Sequence, residues 1–376
     1  MRAHGTGVLV YDFLFCRGGA EYLTLVLAEG ISKTDIVVAF RDSDAFPDSE
    51  MAGVRCCELG PPPGVSFRAW RTLSGLYRFR RRAGFLADYD WVIFSGSTAL
   101  EGVWHRPPGR NLYYCHTLPR FAYDLYEYYL AQISWWQRPV FRALVWWVRR
   151  RYEAALGRMD VILANSQNVR GRLKRYLGLD ATVVNPPCDT TGYRWLADEG
   201  YFLSPARLEP FKRVDKIIEA FRQMPDQRLV VASGGADEAR LRQIAGGCAN
   251  IEFTGWQSDA GMRELVGRAR ATIYVAQDED FGMSPVESMA AGKPVIGVAE
   301  GGLLETVIHG KTGILVNAPA PEVIAAAVRG LSAERAAQMR PACEARASGF
   351  GTEKFLAAMQ AAIASTRSAD ANNTCL

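Results

Sequence analysis

Short apolar runs alternate along the chain with stretches of helical character. Six runs punctuate the first half: GVLVYDF (7–13), DIVVAF (35–40), VRCCEL (54–59), WVIFSG (91–96), NLYYC (111–115) and VILANS (161–166). The rhythm restarts near residue 200 with YFLSPA (201–206), RLVVASG (228–234), IEFTG (251–255), ATIYVA (271–276), KPVIGVA (293–299) and TGILVN (312–317). Each run is rich in β-branched or aromatic residues, and helical stretches such as VDKIIEAFRQM (214–224) lie between them. That alternation predicts parallel, helix-covered sheets. The interruption predicts two doubly wound α/β domains with a boundary near the Pro186-Pro187 turn and Gly200. A length of 376 residues leads to the same division, because it exceeds what one core usually supports.

Composition narrows the function classes. A net charge of +4 is too small for a nucleic-acid binder judged on charge alone. The eight cysteines, at 16, 56, 57, 115, 188, 248, 343 and 375, include no CxxC pair. Scattered thiols point to a reducing compartment and to buried small apolar side chains. The N-terminus has no apolar run of a secretory leader, and no stretch is long and apolar enough to cross a bilayer. The expectation is a soluble, cytoplasmic protein.

Ligands of open α/β sheets bind beyond the carboxyl ends of strands, so the segments after each run hold the candidates. GKTG (310–313) lacks the earlier glycine of a phosphate loop, since that position is Glu305. Gly5-Thr6-Gly7 precedes a strand and is not a dinucleotide fingerprint. RLEPFKRVDK, after 201–206, is different. Arg207 and Lys212 lie in a loop that opens a helix at about Val214, an arrangement suited to a pyrophosphate; a solvated basic loop explains the charges equally well.

In EDFGMSPVE (279–287), Ser284-x-x-Glu287 reads as a capping box with Pro285 at the first helical position. Glu279 has no such explanation. Together with the amides of Phe281, Gly282, Met283 and Ser284 it makes a set of donors and acceptors matched to sugar hydroxyls. Gly301-Gly302 and Gly18-Gly19 are further glycine turns at helix starts, each weak as a separate signal.

In combination these residues carry a resemblance. RLEPFK, then Glu279-x7-Glu287 within EDFGMSPVESMAAGKPVI, then GGLLETVIHGKTGILV, with GGAE at 18–21, resemble glycosyltransferase family 4. The first half is similar more loosely, through YYCHTLPR (113–120), ANS (164–166) and NPPCD (185–189). The resemblance implies an α/β GT-B fold, two doubly wound Rossmann-like domains facing a central cleft. Their expected extents are 1–195 for the acceptor domain and 196–349 for the nucleotide-sugar domain. A helix at about 350–366 would pack back on the first, and 367–376 would be a flexible tail.

The resemblance also implies roles. Arg207 and Lys212 would hold the donor diphosphate, with Gly18 and Gly19 lining the site from the other domain. Glu279 and residues 281–284 would hold the donor sugar, and Glu287 the ribose while it also caps its helix. Gly255 and Trp256 would face the base, and His116 would sit near the reacting carbon. Without the motif, His116 reads as a packed histidine beside an aromatic strand.

YYCHTLPRFAYD looks most like the mannosyl- and rhamnosyltransferases of bacterial O-antigen and exopolysaccharide synthesis. The expected reaction is retaining transfer of a hexose, mannose from GDP-mannose first and a GDP-deoxyhexose such as rhamnose next, to a lipid-linked saccharide. No divalent metal would be essential. A nucleotide-sugar epimerase of related fold and a non-catalytic sugar-binding protein are the alternatives. Residues 121–152, dense in Tyr, Trp and Arg, and RFRRR (78–82) read equally as an interfacial contact with an anionic leaflet or as core helices with charged outer sides. The resemblance favours a peripheral position on the inner face of the cell membrane.

Overall fold

The computed structural model describes residues 6–15, 18–49, 51, 53–62 and 68–373. Among them thirteen strands form two sheets, and every strand pair is parallel. The chain divides into two compact units, Met1–Asn185 with Phe355–Leu376, and Pro186–Lys354.

The first unit holds β1 (Gly7–Tyr11), β2 (Thr34–Val38), β3 (Cys56–Glu58), β4 (Trp91–Ser95), β5 (Asn111–Cys115), β6 (Val161–Ala164) and β7 (Thr182–Val183). Their order in the sheet is β3-β2-β1-β4-β5-β6-β7. Val8, Leu9 and Val10 of the central strand are all fully buried, so the run shows no polar alternation. Val8 and Val10 face a layer built from Phe79, Leu100, Val103, Val145 and Tyr152. Leu9 faces the opposite layer, where Leu23 and Leu27 meet Phe355, Met359 and Ile363. The helix Thr352–Asn373 thus packs on the first sheet and enters the segment read as a tail. The final three residues of that segment lie outside the described ones.

The second unit repeats the plan with β8 (Tyr201–Ser204), β9 (Arg228–Val231), β10 (Ile251–Phe253), β11 (Ala271–Tyr274), β12 (Val295–Val298) and β13 (Gly313–Val316). The order is β10-β9-β8-β11-β12-β13. Phe202 faces the larger core beneath helices Val214–Arg222 and Pro321–Arg329, while Tyr201 and Leu203 face a smaller one with Tyr193 and Val266. In both sheets the strand order reverses beside the first strand, at β1/β4 and at β8/β11. Such a switch point leaves a crevice at the carboxyl ends of the strands, because the two flanking loops leave on opposite faces.

Helix Arg138–Leu156 buries Val145 and Tyr152. Its outer side, with the turn before it, is aromatic: Trp135 is 79% exposed, Trp136 63% and Trp146 62%. The arginines beside them are largely engaged. Arg149 donates to the Ala122 carbonyl (2.6 Å), Arg151 pairs with Glu101 and lies over the Trp147 ring, and Arg150 lies over Trp146. On helix Arg68–Arg82 the exposed apolar residues Trp70, Leu73 and Tyr77 recur at helical spacing. No helix among the described residues is long and apolar enough to cross a membrane.

Candidate active site

The β8/β11 switch point gathers Lys212 and Glu279. Lys212 follows β8 on a single turn, Pro210–Lys212, and Arg213 then opens the next helix from a left-handed conformation (φ 52°). The loop after β11 is tied to this turn by the Gln277 amide, which donates to the Phe211 carbonyl (2.7 Å). Lys212 Nζ therefore reaches Glu279 Oε2 at 2.7 Å and the Tyr274 hydroxyl at 2.9 Å, and Tyr274 donates to the same carboxylate oxygen at 3.1 Å. Burial alone would lower the Lys212 pKa, but Tyr274 and Glu279 outweigh it and hold the ammonium above its ordinary range. The result is a permanently charged cation in a partly buried crevice. Arg207, also partly buried, leaves the same strand end.

Helix Met283–Ala290 departs from expectation. Gly282, at φ 92°, takes the N-cap position, and no side chain caps the helix. A left-handed N-cap starts the helix two residues early, so Ser284 lies inside the first turn and the capping box with Glu287 does not form. The first-turn amides have no intrahelical partner, which leaves Met283 and Ser284 N–H groups at the loop that carries Glu279. Phe281 is buried against Phe350 (ring centroids 5.4 Å apart) and anchors that loop. Gly301 and Gly302 have a local explanation too. A Cβ at Gly301 would meet the backbone of Asp278 and Glu279, and one at Gly302 the backbone of Asp280 and Phe281. These glycines admit a neighbouring loop, with Gly302 N–H bonded to the Glu279 carbonyl (2.7 Å).

Glu287, freed from capping, is partly buried beside Tyr193 and Asp189. Burial, then the Asp189 charge, push its carboxyl up to about 7, against a hydrogen bond from the Tyr193 hydroxyl. At the end of β10, Gly255 makes a left-handed turn (φ 68°), and the Trp256 indole lies over Gly234 with 67% of its surface exposed. That is a flat apolar surface open to an aromatic ring.

In the first unit, His116 follows β5 and its Nε2 lies 2.7 Å from the buried Ser95 hydroxyl of β4. The Tyr114 and Tyr11 rings approach it edge-on, and Asn165 holds its carbonyl (2.8 Å). Burial lowers the imidazole pKa to about 4, so the ring is neutral at physiological pH. Gly18 is the N-cap of helix Gly19–Gly30, with no side-chain cap. Asp12, after β1, crosses the switch point to accept the amides of Ser97, Thr98 and Ala99 at 3.1, 2.8 and 2.7 Å.

Sequence reasoning passed over Tyr274, Tyr193, Asp12 and Ser95. Tyr274 and Ser95 sit in runs read as core. The one available signal was position, since each ends its strand at the carboxyl edge.

Two parallel sheets of reversed order joined in one chain define the GT-B architecture. Solved structures share this fold over nearly the whole chain: HepE from Anabaena, crystallised with UDP and glucose, has TM-score 0.76 and 17% identity, covering 96% of this chain and all of that one. Sucrose-phosphate synthase from Thermosynechococcus elongatus has TM-score 0.78 and 18% identity, covering 97% of this chain and all of that one. Family models carry the assignment from fold to family. Residues 17–191 match "Glycosyltransferase Family 4" and residues 193–348 match "Glycosyl transferases group 1". The chain belongs to the family 4 glycosyltransferases.

Among curated relatives, a D-inositol 3-phosphate glycosyltransferase of Mycolicibacterium paratuberculosis is 33% identical over 42% of this chain and 39% of its own. A GDP-mannose-dependent alpha-(1-6)-phosphatidylinositol dimannoside mannosyltransferase of Mycobacterium tuberculosis is 30% identical over 53% of this chain and 54% of its own. The chain thus spans about half or less of the length of the curated relatives it matches.

Proposed function

We propose that the protein transfers a hexose with retention from a nucleotide-sugar, GDP-mannose first and a GDP-deoxyhexose such as rhamnose next, to a lipid-linked saccharide. The observation that carries this reading is the Lys212–Tyr274–Glu279 contact at the second switch point, with Arg207 on the same strand end. A binder of neutral sugars has no use for a cation held above its ordinary range; a departing diphosphate does. As the bond from the anomeric carbon to the diphosphate breaks, charge grows on the phosphate oxygens, and fixed cations stabilise it. The acceptor hydroxyl joins the same face of the sugar, and its proton passes to the departing phosphate. Lys212 and Arg207 supply the positive charge that a divalent ion would otherwise provide, so chelation leaves activity intact. His116 serves as a neutral hydrogen-bonding group near the reacting carbon.

Glu279 and the first-turn amides take the donor sugar, Glu287 the ribose, and Trp256 the base. The mannosyltransferase relative supports the choice of donor. The exposed tryptophans of 135–147 support attachment to the inner face of the membrane, where a lipid-linked acceptor resides.

A thermal-shift screen with GDP, UDP, ADP and TDP tests the donor. Binding to the folded state raises the melting temperature by mass action. A shift with GDP alone is expected; a shift with UDP alone would overturn the mannose assignment, and no shift with any would overturn the nucleotide site.

A further inference from the structure

Three neighbouring loops leave the carboxyl edge of the second sheet, after β8, β11 and β12, and one carboxylate joins them. Glu300, just after β12, accepts Arg213 Nη1 on both oxygens, at 3.1 and 3.0 Å. Its Oε2 also accepts the Asp278 amide at 3.3 Å. Arg213 follows Lys212 in the loop after β8, and Asp278 precedes Glu279 in the loop after β11. The two residues tied by Glu300 are thus the chain neighbours of the two groups that meet at 2.7 Å in the site.

Those neighbours share a second property. Arg213 and Asp278 both have left-handed backbone, at φ 52° and 43°; among the described residues only Lys33 and Arg110 are other non-glycine cases. A residue with a Cβ rarely adopts that conformation, because the Cβ crowds the backbone carbonyl. It persists where the surroundings fix it. Glu300 holds the side chain of one such residue and the amide of the other. Gly301 and Gly302, next in the chain, let the 278–281 backbone lie against this loop, since a Cβ at either would collide with it. Glycine takes left-handed backbone freely, so the turns alone do not call for an arginine at 213 or an aspartate at 278.

We propose that Glu300 is a positioning residue of the donor site: by holding Arg213 and Asp278 in left-handed conformations it brings the Lys212 ammonium and the Glu279 carboxylate into contact. This rests on the assignment of Lys212 to the donor diphosphate. The Arg213 and Glu300 side chains are 21% and 33% exposed, and an ion pair open to water contributes little to stability by itself. Its effect lies in the direction it gives the two loops. Without Glu300 both residues relax toward ordinary backbone, and the Lys212 ammonium leaves the place where the distal phosphate is read. The base and ribose sites are untouched.

The experiment is a double-mutant cycle between Glu300→Ala and the paired substitution Arg213→Gly with Asp278→Gly. It is read by calorimetric titration with GDP and GMP and, in parallel, with UDP and UMP. Glu300→Ala is expected to lose severalfold of the wild-type preference for the diphosphate and to bind the monophosphate as before. The glycine pair is expected to keep most of the preference, because glycine adopts both conformations unaided, and adding Glu300→Ala to it should change little. Weakening of both nucleotides together in Glu300→Ala would mark a general loss of structure and overturn the proposal. Equal losses of preference in the two backgrounds, or none in either, would also overturn it. So would a glycine pair that loses the preference as fully as Glu300→Ala does, since the charge of Arg213 would then be what matters.

Melting temperatures without nucleotide give the same cycle independently of the diphosphate assignment. Glu300→Ala should lower the melting temperature in the wild-type background and much less in the glycine pair; equal lowering in both would overturn the proposal. A wild type that binds GMP as tightly as GDP, and UMP as tightly as UDP, would overturn the diphosphate assignment and leave the melting cycle as the test of the tie.

Discussion

The two switch points share a topology and are bridged with opposite charge. In the first unit the loop after β1 sends the Asp12 carboxylate across to three amides after β4. In the second, the loop after β8 sends the Lys212 ammonium across to Glu279 and Tyr274 after β11. The first bridge consumes the backbone donors that would hold an anion and puts a carboxylate in their place. The second leaves the first turn of helix Met283–Ala290 uncapped by any side chain and adds a cation. Strand order positions a crevice, but the bridging side chain decides what the crevice can bind. This contrast supports the proposed placement of the diphosphate in the second unit, while the first carries the neutral imidazole of His116.

Breaking the second bridge should have the largest effect. Lys212→Ala is expected to lower the rate of nucleotide release from the donor by about 10²–10³-fold, the loss typical of removing one preorganised charge-stabilising group; initial-rate measurements check it. Breaking the first should leave the donor site intact and cost stability instead. Asp12→Ala strips the acceptor from three amides, and a loss of about 1–3 kcal/mol is expected in denaturant titration.

The units also differ in how pH acts on them. The fold holds His116 down to about 4, so its contribution to stability is full above about pH 6.5 and is lost as pH falls through 4. It holds Glu287 up at about 7, so its contribution is full below pH 4.5 and is lost as pH rises through 7. Each contribution is at most about 3 kcal/mol. His116→Gln should therefore flatten the acid side of the melting-temperature profile and Glu287→Gln the alkaline side. The smallest effect concerns the outer surface. Replacing Trp146 and Trp147 by Ser should reduce co-sedimentation with anionic liposomes severalfold, while nucleotide affinity stays unchanged. Because Arg149 and Arg151 are turned onto protein groups, salt should weaken that binding only in part.

Much of this was legible in the sequence. Every apolar run singled out contains a strand, since strands buried on both faces leave continuous apolar text. β7 went unread because Thr182–Val183 is two residues long and carries no periodicity. The capping box failed for a local reason: Ser-Pro-x-Glu fits the pattern, but the left-handed Gly282 moves the helix start. Gly301 and Gly302 drew notice as ligand-approach glycines, and only the folded chain shows the loop that lies against them. Arg207, Lys212, Glu279 and Glu287 stood out as charges after strands. Their partners, Tyr274, Tyr193 and Asp189, did not, because those contacts join segments far apart in the chain and an aromatic at a strand end reads as core.

The central claim is that Lys212 in the second unit reads the distal phosphate of the donor. The most direct test is calorimetric titration of the wild type and Lys212→Ala with GDP and GMP, repeated with UDP and UMP. The wild type should favour the diphosphate by at least about tenfold, or about 1.4 kcal/mol. Lys212→Ala should bind the monophosphate as before and lose most of that preference. The same preference in both proteins would contradict the account.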